Sequence, residues 1–104
     1  MKILHLTLKK KWFDMILSGE KTEEYREIKP YWEKRLLPVR YDVIEFRNGY
    51  GSQRPAFIIQ YNNIKIGVGK EKWGAPRKQV FILSLGSVLA KFAKDLHKWK
   101  TRKN

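Results

Sequence analysis

The sequence predicts an α+β domain, most economically a small closed or nearly closed β-barrel of five or six strands with a few short helices. Three observations lead there. The chain has 104 residues, the size of one domain. Its apolar residues alternate in several short stretches, the period of a strand, and only briefly fall at helical spacing. Glycine and proline punctuate the boundaries between these stretches. With 42% hydrophobic and 13% aromatic residues, the chain is too apolar to stay disordered in spite of its charge.

Taken in order, residues 1–8 alternate and read as a first strand. From residue 10 to 18 the period changes. Trp12, Phe13, Ile16 and Leu17 fall at i, i+3, i+4 spacing, and Gly19 follows as a left-handed cap. Residues 22–28 form a polar strand, with Thr22, Glu24, Arg26 and Ile28 on one side and Glu23, Tyr25 and Glu27 on the other. Pro30 suits the first turn of a second helix over residues 31–37, which Pro38 ends. Residues 39–47 are β-branched and aromatic and run into the turn Asn48-Gly49-Tyr50-Gly51. Residues 55–61 and 64–68, joined by Asn62-Asn63, suggest a hairpin. A basic loop over residues 69–79 leads to a buried strand at 80–85. After Gly86, Ser87 is placed to cap a last helix whose apolar stripe is Val88, Leu89, Phe92, Ala93, Leu96 and Trp99. The expected organisation is therefore a barrel over residues 1–86 and a basic C-terminal helix and tail over residues 87–104, within one domain.

Charge narrows the function. Lys and Arg number 23 against 10 Asp and Glu, a net +13, with a pI near 10.1. A surplus of that size is most easily rationalised by a polyanionic partner, nucleic acid first. Residues 91–104 carry six Lys and Arg against Asp95, net +5. With no cysteine there is no disulfide, thiolate nucleophile or Cys-ligated zinc. His5 and His97 are the only histidines, so no metal site and no cofactor is expected, and nothing in the sequence brings the two together for acid–base chemistry. No signal-peptide core and no run of ~18 apolar residues is present, which predicts a cytoplasmic protein without a membrane partner.

The most informative stretch is Gly19-Glu20-Lys21-Thr22-Glu23-Glu24-Tyr25-Arg26. A helix stops, turns on a glycine and begins a strand bearing charges on both faces. Glu24 and Arg26 share one side and Lys21 lies in the turn before them, so one mouth of a barrel can gather an ammonium, a carboxylate and a guanidinium. The plain alternative is a solvated edge strand whose charges block edge-to-edge pairing.

Gly19, Lys21, Glu24 and Arg26 match the G-x-K-x-x-E-x-R signature of the ASCH domain, and over residues 1–86 the chain resembles that family, which is related to the PUA-like RNA-binding fold. The resemblance implies a β-barrel flanked by helices, with a cleft beside the motif that binds RNA or a nucleotide-like ligand through Lys21, Glu24 and Arg26. Some members are amidohydrolases that remove an acyl group from a modified cytidine. By that resemblance Lys21 and Thr22 would be the catalytic pair, while Glu24 stands where those enzymes carry a second threonine.

Two loops add nucleic-acid chemistry of their own. Arg47, Tyr50 and Arg54 surround the first glycine-rich turn, and Lys72, Trp73, Arg77 and Lys78 lie in the basic loop. Cations neutralise phosphates and exposed aromatics stack on bases. Tyr50 and Trp73 have a second reading as caps on a small core. The expected function is RNA or nucleotide binding. The alternatives are a small amidohydrolase acting on a modified nucleoside and a basic protein-interaction module.

Overall fold

The computed structural model describes residues 1–51 and 53–92. They form an α+β fold with one mixed five-stranded sheet. The elements are β1 (Ile3–Leu8), α1 (Lys10–Leu17), β2 (Glu23–Arg26), α2 (Pro30–Leu36), β3 (Val43–Asn48), β4 (Ala56–Val68), a short 3-10 turn (Glu71–Trp73) and β5 (Gln79–Phe92).

Alternation in β1 puts Leu4, Leu6 and Leu8 into the core and leaves His5 exposed. In α1, Phe13 and Ile16 are the buried residues. The helix ends where expected: Gly19 has φ +89°, and its N–H donates to the Ile16 carbonyl at 3.1 Å. Pro30 opens α2, which buries Leu36. The main core joins these side chains to Ile44, Phe46, Phe57, Ile59, Phe81, Leu83 and Leu85. Phe57 lies between two rings, edge-on to Phe13 at 4.9 Å and tilted to Phe46 at 5.6 Å.

Three sequence expectations are corrected. The hairpin over residues 55–68 is not formed. Asn62-Asn63 lies within a single long strand, β4, whose register against β5 shifts between Ile58 and Asn63. Those irregularities bend the pair, so that β4 pairs with β3 near Ala56–Gln60 while β5 pairs with β2 through Phe81–Ser84. Gly86 belongs to this bend, because a Cβ there would meet Gln60 Oε1 at 2.6 Å and Gln60 Cβ at 2.9 Å.

The second correction concerns Ser87. It does not cap a helix, since β5 runs on through residues 87–92; the rest of the expected helix, with Trp99 and His97, lies outside the described residues. Val88, Ala90 and Phe92 satisfy a strand period as well as Val88 and Phe92 satisfy a helical one. Tertiary pairing decides between them, with Val88 opposite Ile59, Ala90 opposite Ile58 and Phe92 opposite Ala56.

The third correction is the barrel itself. Strand order is β1-β3-β4-β5-β2, with β1 parallel to β3 and the other pairs antiparallel, so β1 and β2 are edges. The seam is bridged by a side chain instead of a ladder: Arg26 Nη2 on β2 donates to the Thr7 carbonyl on β1 at 3.3 Å. β2 has only four residues, which pair with β5 through Phe81–Ser84 and leave β2 at the edge of the sheet.

Candidate functional site

The unclosed seam is the concavity beside the motif. A hollow of about 240 Å³ lies there, lined by Thr7, Leu8 and Lys9 from the end of β1, Trp12 from α1, Glu24, Tyr25 and Arg26 from β2, and Trp73 and Gly74 from the loop before β5. It is smaller than the ~300–1,000 Å³ typical of clefts that enclose a drug-sized ligand, and suits one base or one phosphate group.

Lys21, Glu24 and Arg26 are brought together as a chain of ion pairs. Lys21 Nζ lies 3.3 Å from Glu24 Oε1, and Arg26 Nη2 lies 2.8 Å from Glu24 Oε2. The three differ in position. Glu24 and Arg26 line the hollow, whereas Lys21 is only 2% exposed and sits behind its wall. Its ammonium donates to the Trp73 carbonyl at 2.7 Å and lies over the rings of Tyr25 at 4.6 Å and Trp12 at 5.3 Å. Burial pulls the Lys21 pKa below its ordinary 10.5, and the facing Glu24 carboxylate opposes that pull.

Glu24 is thus a bridge that positions two cations of different exposure. Arg26 completes the arrangement by stacking on Trp32 of α2 at 5.0 Å. Among the described residues its Nη2 donates to Glu24 and to the Thr7 carbonyl, and Nε is enclosed without an acceptor. The guanidinium is held in place with donors still available.

The loop before β5 forms the far wall because two glycines allow a close approach. Gly74 has φ +95°, and a Cβ there would come within 2.9 Å of the Trp12 ring. At Gly69 a Cβ would collide with the Tyr25 ring. Tyr25 ties this loop to β2, donating to Glu23 Oε1 at 2.8 Å and accepting from the Lys70 N–H at 3.1 Å. Burial raises its pKa well above the ordinary tyrosine range.

The remaining predicted residues scatter. Thr22 is exposed, does not line the hollow, and uses its carbonyl to accept from the Leu85 N–H at 3.1 Å. Trp73 is buried and walls the hollow rather than standing free as a stacking platform. Lys70 and Lys72 lie over its ring at 4.4 and 5.3 Å. Lys78 lines a neighbouring hollow of about 340 Å³ that also ends on Arg26, and pairs with Glu27 at 3.5 Å. Arg77 is exposed and pairs with Glu71 at 3.0 Å. Arg47 and Arg54 are engaged in the β3–β4 turn: Arg47 Nη1 donates to the Arg54 carbonyl at 3.1 Å, and Arg54 Nε to the Asn48 carbonyl at 2.8 Å. Tyr50 is exposed.

A larger hollow continues from the first along the free edge of β1. It measures about 560 Å³ and is lined by His5, Leu6, Thr7, Arg26, Lys29, Tyr31, Trp32 and Tyr50. The sequence pattern gave no role here to Trp32, Lys29 or His5, and it set Trp12 on the apolar face of the first helix. For Trp12 the signal was present but ambiguous, since a helix face that packs on a sheet can also rim a cleft at its end. A separate hollow of about 450 Å³ lies between residues 36–42 and 61–64. None of the predicted site residues is there, and burial pushes the Tyr61 hydroxyl beside it up to about 12.

Comparison of the chain with protein-family models, with curated proteins and with solved structures finds no match to any of the three. Among the described residues no group of His, Asp or Glu is arranged to hold a metal ion, and no helix is long and apolar enough to cross a membrane.

Proposed function

We propose that this chain is an ASCH-like RNA- or nucleotide-binding domain acting in the cytoplasm, whose ligand enters the seam between β1 and β2. The observation that carries this reading is the state of Arg26. Glu24 holds it from one side at 2.8 Å, Trp32 supports its plane at 5.0 Å, and it lines three adjoining hollows. A guanidinium fixed in this way is preorganised for a phosphate or the acceptor edge of a base. Glu24 retains lone pairs that can accept from a base amino group. Lys21 acts through Glu24 and the Trp73 carbonyl, positioning both walls of the hollow. The net charge of +13 supplies the long-range attraction of such a ligand.

The amidohydrolase alternative draws on the lowered pKa of Lys21, which favours a neutral amine. Against it, Thr22 is exposed outside the hollow, and Lys21 would have to give up both the Trp73 carbonyl and Glu24 to reach a substrate. Binding is the better supported function.

Salt titration tests it. Affinity for a single-stranded oligonucleotide falls as log salt rises, with a slope of about −0.7 per phosphate neutralised. Arg26→Ala weakens binding about tenfold or more, in line with loss of a charge-assisted contact. Binding that ignores both salt and Arg26→Ala contradicts the proposal.

A further inference from the structure

The 560 Å³ hollow along β1 has a composition that the first lacks. Among the described residues its lining includes His5, Arg26 and Lys29, the last paired with Glu27 at 3.6 Å, and no carboxylate, together with the aromatic rings of Tyr31, Trp32 and Tyr50. Two of its polar groups are anchored from behind by buried glutamates. Arg26 is held by Glu24. His5 Nδ1 lies 3.0 Å from Oε1 of Glu45, a residue only 2% exposed, whose Oε2 meets Arg47 Nη2 at 3.0 Å. That bond turns the other ring nitrogen, Nε2, toward use by a ligand. Tyr31 and Trp32 meet edge to face at 4.8 Å and together form an aromatic wall. Tyr50, 87% exposed on the glycine turn opposite, is open to stacking on an incoming ring.

We propose that this hollow is a second nucleotide subsite, continuous with the first through Thr7 and Arg26, so that the ligand of the seam is a single-stranded oligonucleotide and not a free nucleoside. One phosphate sits at Arg26, where the two hollows meet, and His5 and Lys29 face the next stretch of backbone. The neighbouring base stacks on Tyr50 against the Tyr31–Trp32 wall. A lining that sets the two cations Arg26 and Lys29 among aromatic rings fits a strand with alternating phosphates and π-faces. This inference rests on reading the first hollow as a nucleotide site, and the experiment separates the two.

Binding is measured for uridine 5′-monophosphate and for a five-residue oligouridylate, with the wild type, Tyr50→Ala and Lys29→Ala. Both substituted side chains are exposed, so the fold is retained. The oligonucleotide is expected to bind at least tenfold more tightly than the monophosphate. Tyr50→Ala is expected to lower oligonucleotide affinity about tenfold, the effect of one lost base stack, and to leave the monophosphate unchanged. Lys29→Ala is expected to reduce the salt slope for the oligonucleotide by about 0.7. Equal binding of the two probes, or oligonucleotide binding indifferent to Tyr50→Ala and Lys29→Ala, overturns the second subsite and leaves the first standing. Failure of both probes to bind the wild type overturns both.

Discussion

Glu24 on β2 and Glu45 on β3 each sit between two basic side chains, but the side chains they hold lead to different places. Glu24 joins Lys21, which is buried, to Arg26, which borders three hollows. Glu45 joins Arg47, engaged with the carbonyls of the β3–β4 turn, to His5, whose side chain is 60% exposed. In the first chain the charge that cannot return to water is Lys21; in the second, both partners have alternatives, water for His5 and backbone carbonyls for Arg47. A buried carboxylate can therefore be structurally indispensable or mainly orienting, depending on what its partners would lose without it. Both chains end on the same seam, one through Arg26 and the other through His5.

Removing each carboxylate breaks the comparison most sharply. Glu24→Gln leaves the Lys21 ammonium buried without a counter-charge and is expected to destabilise the fold by about 3 kcal/mol. Glu45→Gln is expected to cost about 1 kcal/mol, because an amide oxygen still accepts from one partner. Urea unfolding near neutral pH measures both. Equal losses would mean that the two chains do the same structural work.

A smaller effect isolates Lys21. Its folded-state pKa is depressed below 10.5 by burial, so between that value and 10.5 the unfolded chain binds more protons than the folded one. Stability associated with Lys21 therefore rises with pH across that window, and the penalty of burying the ammonium is fully present below it. Tyr25 and Tyr61 act in the opposite direction above pH 10, since burial raises both and the unfolded chain ionises them first. Lys21 touches the Tyr25 ring, so the wild type and Lys21→Met are compared below pH 10, before the tyrosines ionise. The wild type is expected to gain stability relative to Lys21→Met as pH rises toward 10, and parallel pH profiles would contradict the assignment.

Local signals in the sequence identified much of this architecture. Gly19 marked the end of α1 because a left-handed residue is required there, and Pro30 marked the start of α2. Leu4, Leu6 and Leu8 alternated because one face of β1 is core. The association of Lys21, Glu24 and Arg26 followed from strand periodicity and the preceding turn. What escaped was set by partners distant in sequence. Residues 87–92 suit a helix or a strand by pattern, and the backbone of β4 decided for the strand. Asn62-Asn63 looked like a hairpin turn and became part of a bend in β4. The depth of Lys21 could not be read locally, since it depends on Trp73, 52 residues away, folding back over it. The open seam was missed for the same reason: a side chain, Arg26, stands where a barrel would place a ladder.

The central claim is that ligand enters along that seam, and side-chain and backbone NMR during titration with oligouridylate tests it most directly. The account predicts that the resonances of Thr7, Trp12, Arg26, Trp32 and Tyr50 shift together and saturate at one stoichiometry. Shifts confined to the exposed lysines and arginines remote from the seam, with Arg26 and Trp32 unmoved, would contradict it.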